Sequence, residues 1–244
     1  MRRVIPVVLI ENSRVVKTTR FKKPRYIGDP IVICKLFEEK EADEIMVLDI
    51  GASETSEIDY EVISSVVSEC FVPVSYGGGI VEISQVDELI RCGVDKVVIN
   101  TRNSIDLTLI EEISRKYGSQ VIIASIDFKL DFWGRHKVMV DSGHRKVKTP
   151  LKEYIAKVVS SGIGELLLTD IDREGTMRGF NLPLLTDLVA GIEVPIIITG
   201  GAGSKFDVNE AFDQLGASAV GCGSLFVYSG ARKGILVTYE NFAG

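Results

Sequence analysis

Four short stretches of this sequence could hold an anion with backbone alone: Gly77-Gly78-Gly79, Asn100-Thr101, Gly200-Gly201-Ala202-Gly203 and Gly221-Cys222-Gly223-Ser224. Each follows a run of apolar, largely β-branched residues, so each sits where a strand gives way to a loop. Glycine there lets the chain turn with φ above zero and brings N–H groups close to an oxyanion, and Thr or Ser adds a hydroxyl donor. Gly78, Gly79, Asn100 and Thr101 lie in the first half of the chain, Gly200, Gly201, Gly223 and Ser224 in the second. Two such pairs imply two anion sites across one mouth, and hence an elongated ligand with a phosphate at each end.

The elements that position these turns read as an alternation. Apolar runs at Val4–Ile10, Glu44–Ile50, Val72–Ser75, Lys96–Asn100, Val121–Asp127, Glu165–Asp170, Val194–Thr199 and Ala217–Gly221 look like parallel strands covered on both faces. Helical periodicity fills the gaps, at Ile31–Ala42, Tyr60–Cys70, Ile83–Cys92, Leu107–Tyr117, Leu151–Ser161, Leu182–Val189 and Lys205–Leu215. Eight βα units in 244 residues predict one α/β domain over residues 1–244, a (β/α)8 TIM barrel. The two halves also resemble each other. Glu44–Ile50 matches Glu165–Ile171 at 121 residues' distance, Val72–Gly79 matches the run from Val194 at 122, and Cys92–Val98 matches the run from Leu215 at 123. One spacing near half the chain length means two duplicated half-barrels, because solenoid repeats are far shorter.

Composition sets the outer limits. The chain is 45% hydrophobic and 25% charged, ordinary for a globular protein, with a net charge of −6. That balance argues against nucleic-acid or anionic-membrane binding through bulk charge. No apolar run reaches the length of a membrane span. The basic, then apolar start from Met1 to Ile10 is followed at once by Glu11, Asn12 and Arg14, so it reads as a buried first strand and not a leader. Cys34, Cys70, Cys92 and Cys222 form no C-x-x-C pair, as expected of reduced thiols in a cytoplasmic protein.

With these residues in view, the chain resembles the cyclase subunit of imidazole glycerol phosphate synthase over essentially its whole length. The matching stretches include Arg14-Val15-Val16-Lys17, Gly28-Asp29-Pro30, Leu48-Asp49-Ile50, Gly77-Gly78-Gly79-Ile80, Asp95 to Thr101, Ile126-Asp127, Leu168 to Thr176 and Gly200 to Gly203. The resemblance implies a partner glutaminase on the lower face of the barrel that releases ammonia. It also implies a doubly phosphorylated ribonucleotide at the upper face and chemistry without metal or organic cofactor. It adds Gly175 and Thr176 to the phosphate-binding set, and Lys17 as a residue of the active-site loop. Two aspartates, at the ends of strands 1 and 5, divide acid and base work in that family. Asp127 matches the strand 5 aspartate, but Leu9 stands at the strand 1 position, and leucine moves no proton. Glu11 takes over only if the strand slips by two residues, which keeps the face but lengthens the reach. Glu174 stands where the family usually has aspartate.

The lower face keeps the family's pattern. Arg3, Glu44, Lys96 and Glu165 begin strands 1, 2, 4 and 6 and match a charged gate on the ammonia path, and Asp95 beside them matches a glutaminase-contact position. The reading that follows is a divergent paralogue that still takes ammonia from a glutaminase, in the manner of those that serve amidino modification of bacterial surface sugars. The alternative is a genuine cyclase subunit of histidine biosynthesis, using Asp127 with Glu11 or a water. His136 and His144, in a polar stretch expected to form a hairpin over the mouth, read as surface residues and not a zinc site. Arg20, Lys22, Lys23 and Arg25 read as a solvated face or a phosphate-attracting lid.

Overall fold

The computed structural model describes residues 2–100, 107–230, 232–240 and 242. Eight parallel strands follow one another: β1 Arg3–Glu11, β2 Ile45–Asp49, β3 Val74–Gly77, β4 Lys96–Asn100, β5 Ile122–Leu130, β6 Glu165–Asp170, β7 Ile196–Thr199 and β8 Ala219–Cys222. Each pairs with the next, and β8 pairs back onto β1 through Arg3↔Ala219 to Pro6↔Cys222, so the sheet closes into a (β/α)8 barrel. The β3 strand begins two residues later than its apolar run. Val72 is taken by the Glu38 carboxylate, which accepts from its N–H at 3.0 Å, and Pro73 lends its carbonyl to Ile45.

The helices that cover the barrel start where local chemistry starts them. Asp29 accepts from the N–H groups of Ile31 and Val32, with Pro30 in the first helical position, and opens Pro30–Glu39. Asp59 caps Tyr60–Ser68 by accepting from Val62, and Ser204 caps Lys205–Leu215 by accepting from Asp207. After β8, among the described residues, no full helix follows. One 3-10 turn at Ser224–Phe226 and a two-residue pairing of Tyr228–Ser229 with Gly234–Ile235 take its place. The gap is filled by Phe37, Phe226, Tyr239 and Phe242, whose rings meet edge-on or tilted, and the Tyr239 hydroxyl donates to the Val4 carbonyl at 3.1 Å.

Two strands outgrow the barrel. Past its mouth β1 turns back into Arg14–Thr19 and then Lys22–Gly28, while β5 turns back into His136–Val140 and then Arg145–Pro150. The second hairpin is the one expected over the mouth. The first carries the basic cluster Arg20, Lys22, Lys23 and Arg25. Its register shifts and its left-handed residues Arg20, Phe21 and Lys23 make it irregular, which blurs strand alternation in the sequence.

Side chains inside the barrel form storeys. Arg3, Glu44, Lys96 and Glu165 make the lowest. Above them Ile5, Met46, Val98, Ile123, Leu167, Ile197 and Ala219 pack together, each 4% exposed or less. The opposite strand faces, such as Val4, Val8, Ile45, Val97, Ile126 and Leu168, pack under the helices in the larger core.

Candidate functional site

The mouth encloses a cavity of about 360 Å³. Lys17, Glu11, Asp127, Gly78, Gly79, Asn100, Gly175, Gly200, Gly201, Gly223 and Ser224 all line it, so strand ends from both halves converge on one space. Thr176 does not line it; its hydroxyl donates to the Arg173 carbonyl at 2.7 Å and is spent on the turn. Thr101 lies outside the described residues.

The glycine turns repeat each other in atomic detail. Gly78 has φ +127° and a Cβ there would overlap the Asp49 carbonyl; Gly200 has φ +86° and a Cβ would stand 2.6 Å from the Asp170 carbonyl oxygen. Asp49 and Asp170 are themselves duplicates. Each turns a carboxylate oxygen onto a backbone N–H just after its strand, of Ala52 at 2.8 Å and of Asp172 at 3.0 Å. Glycine is therefore required at both turns by two causes, backbone conformation and close approach. The Ser224 hydroxyl is buried and finds no hydrogen-bond partner among the described residues, leaving a free donor on the cavity wall beside Gly223.

Asp127 is 7% exposed. Burial pushes its carboxyl up to about 6, against the opposing effect of hydrogen bonds from Thr169, Asn100 and Ser125. Asn100, expected at a phosphate, lines the cavity, and its amide donates to Asp127 Oδ2 at 2.7 Å and orients that carboxylate. A carboxyl poised near neutrality and held by a fixed amide suits proton transfer in either direction. Thr169 and Thr199, linked hydroxyl to hydroxyl at 2.9 Å, complete the wall and escaped the sequence reading. Strand parity could have found them, since Ser125 and Asp127 face inward on β5 and Thr169 is the residue paired with Asp127 on β6.

Register shows what stands opposite. Asp127 pairs with Thr169 as Leu9 pairs with Leu48, and Ile171 donates to the Phe128 carbonyl as Ile50 donates to that of Ile10, both at 2.9 Å. Leu9 is thus the duplicate of Asp127. The two-residue slip that would bring Glu11 to that place does not occur. Glu11 lines the cavity from farther out, paired with Arg14 at the root of the first hairpin.

Lys17 comes from that hairpin and is 3% exposed. Its Nζ donates to the Val7 carbonyl, and among the described residues it forms no ion pair. Glu174 lines the same space, accepting from the Thr18 hydroxyl and the Phe21 N–H at 3.2 Å each, and burial raises its carboxyl. Of the basic cluster, Lys22 and Lys23 reach the cavity rim, Arg20 donates to the Asp172 carbonyl at 3.0 Å, and Arg25 donates to that of Lys233. His144 stands at the exposed rim and His136 meets the Phe128 ring edge-on at 6.1 Å. Among the described residues no group of three or more His, Cys, Asp or Glu is placed to hold a metal.

At the other end of the barrel the four charges close a ring. Arg3 pairs with Glu44 at 2.7 Å and with Glu165; Lys96 pairs with Glu44 at 3.0 Å and with Glu165 at 2.7 Å. Signs alternate, so each charge has two partners, and partial burial is tolerated. Burial acts to raise the Glu165 carboxyl, but the hydrogen bonds and charges of Arg3 and Lys96 prevail and hold it below the usual range. A shallow hollow lined by Arg3, Lys96, Glu165, Gln120 and Ser218 opens the ring to the lower surface. Asp95, at the same end, uses its carboxylate to accept from the Val74 N–H at 2.8 Å.

Comparison with known proteins agrees with this architecture. The family model described as "Histidine biosynthesis protein" matches residues 3–232. A Pseudomonas aeruginosa protein provisionally named imidazole glycerol phosphate synthase subunit hisF2 is 43% identical over 241 residues, 98% of this chain and 96% of that one. A Leptospira borgpetersenii protein provisionally named as the HisF subunit of the same synthase is 37% identical, over 98% and 95%. The HisF subunit of Streptomyces coelicolor is 35% identical, over 99% and 96%.

Proposed function

The chain belongs to the histidine biosynthesis protein family as an imidazole glycerol phosphate synthase subunit of the HisF type, and from that premise we propose that it is a divergent paralogue. In this reading a glutaminase docks on the lower face, ammonia crosses the charged ring, and a phosphorylated acceptor receives it at the upper mouth. The observation that carries it is the pairing of an intact lower ring with a broken upper pair: Leu9 occupies the duplicate place of Asp127. With one carboxylate left, acid and base roles cannot be divided between two groups. The ring, by contrast, retains every charge.

The apolar storey above the ring favours a neutral passenger. Ammonia pays little to cross Ile5, Met46, Val98, Ile123, Leu167 and Ile197, whereas ammonium would be stripped of water without a partner. The ring is closed by its ion pairs, so passage requires Lys96 or Arg3 to swing aside, and glutaminase docking over the hollow is the event that would drive it. Relatives named with a copy number support the paralogue reading, with 43% identity to hisF2 of Pseudomonas aeruginosa against 35% to the HisF subunit of Streptomyces coelicolor. The acceptor that the resemblance implies for such paralogues is a bacterial surface sugar, modified in the cytoplasm by a further protein. The second reading, a true cyclase, has one observation in its favour: Glu11 opens into the same cavity as Asp127.

The two readings separate in one assay. With ammonium salts and the doubly phosphorylated ribonucleotide, the chain should turn over near background, and Leu9→Asp should raise that rate by about tenfold or more, within the range of one acid–base group. Brisk turnover by the unaltered chain, abolished by Asp127→Asn, would overturn the paralogue reading. A glutaminase should copurify and be activated in the complex, and Lys96→Ala should let glutamine hydrolysis proceed without ammonia reaching the mouth.

A further inference from the structure

Lys17 is placed as an amine in a socket. The backbone of Gly223, φ −101° and ψ −77°, is open to any residue, so conformation does not explain the glycine. A Cβ on Gly223 would stand 2.8 Å from Lys17 Nζ, so the amine, the end of a long side chain, lies directly against the loop after β8. The nitrogen itself is held by one backbone carbonyl, that of Val7, with no ion pair among the described residues. A lysine meant only to attract phosphate gains nothing from 97% burial; long-range attraction works from the surface, as Lys22 and Lys23 at the rim could do. Beside Lys17 stand the Ser224 hydroxyl, without a hydrogen-bond partner among the described residues, and the Gly200-Gly201 turn, all on the same cavity.

We propose that Lys17 condenses with the carbonyl group of a phosphorylated aldehyde or ketone in this mouth, forming an imine while the phosphate rests on the loops at Gly200-Gly201 and Gly223-Ser224. The inference rests on reading the mouth as a phosphate site and adds the class of compound it takes. The Nζ lone pair attacks the carbonyl carbon, a C–N bond forms, and the carbonyl pair moves to oxygen. The two protons shed by nitrogen balance the two gained by oxygen, which leaves as water; nothing is oxidised or reduced. Glu174, raised by burial and open to the same cavity, is the group that hands a proton to the departing oxygen. Burial also brings the Lys17 ammonium down to about 8, so the neutral amine is available near neutral pH.

The test is chemical trapping. The purified chain is incubated with glyceraldehyde 3-phosphate or with glyceraldehyde, reduced with borohydride, and mapped by mass spectrometry. The phosphorylated aldehyde should label Lys17 about tenfold faster than the plain one, the factor worth one modest set of phosphate contacts. Inorganic phosphate should suppress that label, and Lys17→Arg, which keeps the charge, should abolish it. Gly223→Ala should lower labelling at Lys17 and leave Lys22 and Lys23 unchanged. Adducts on Lys22 and Lys23 but none on Lys17, in a chain whose melting temperature rises with inorganic phosphate, would overturn the imine and leave the phosphate site standing. Equal labelling of Lys17 by both aldehydes, indifferent to phosphate, would overturn the phosphate site and the inference with it.

Discussion

The burial of Asp127 carries a cost. Its carboxyl, pushed up to about 6 by burial, prefers the protonated form in the folded chain more than in the unfolded one. For a raised carboxyl the stabilising contribution is complete below the unfolded value, about pH 4, and is lost as pH rises through about 6. Asp127→Asn keeps a neutral acceptor for the Asn100 amide and removes the ionisation. In chemical denaturation at pH 7.5 the variant should be more stable than the parent by about 1–3 kcal/mol, and the gap should close below about pH 4. Much of the site is visible as residue types, including Asp127, Lys17 and the three glycine turns. What each side chain touches is not, because Asn100 turns to Asp127 and Thr176 to its own loop only once neighbouring strands are in place.

The barrel elements were read with their order right and their ends within a few residues, since apolar periodicity and capping are local. Tyr60–Ser68 begins at Asp59, and Lys205–Leu215 ends at Gly216 in the left-handed conformation, as residue type alone suggests. The irregular hairpin Arg14–Gly28 was missed as strand structure because its bulged register breaks the alternation. The final element was also illegible. Among the described residues no eighth helix follows β8; aromatic rings and the Tyr239 hydroxyl pin this segment across the start of β1. Tyr239→Phe keeps the ring packing and leaves the Val4 carbonyl buried without its donor. It should cost about 1 kcal/mol in urea unfolding with an unchanged m-value, whereas a cost near zero would mean that water replaces the hydroxyl.

Across the whole molecule the lower ring and the upper mouth respond to pH in opposite senses. Glu165 is held below the usual carboxylate range, so its contribution is present above the unfolded value, about pH 4, and is lost as pH falls through the folded value. Glu165→Gln leaves Arg3 and Lys96 each short of a partner and should cost about 3 kcal/mol at neutral pH. That penalty should shrink in acid, read as a flatter decline of stability between about pH 5 and 3 than in the parent. The chain alone determined the barrel and its duplication, because periodicity, spacing and residue type are written along the backbone. Closure of the barrel decided the rest. Arg3 meets Glu165, Asn100 meets Asp127 and Lys17 meets the space left by Gly223 only when strands distant in sequence become neighbours. Contacts of that kind depend on side-chain direction across a closed sheet, and no local pattern encodes them.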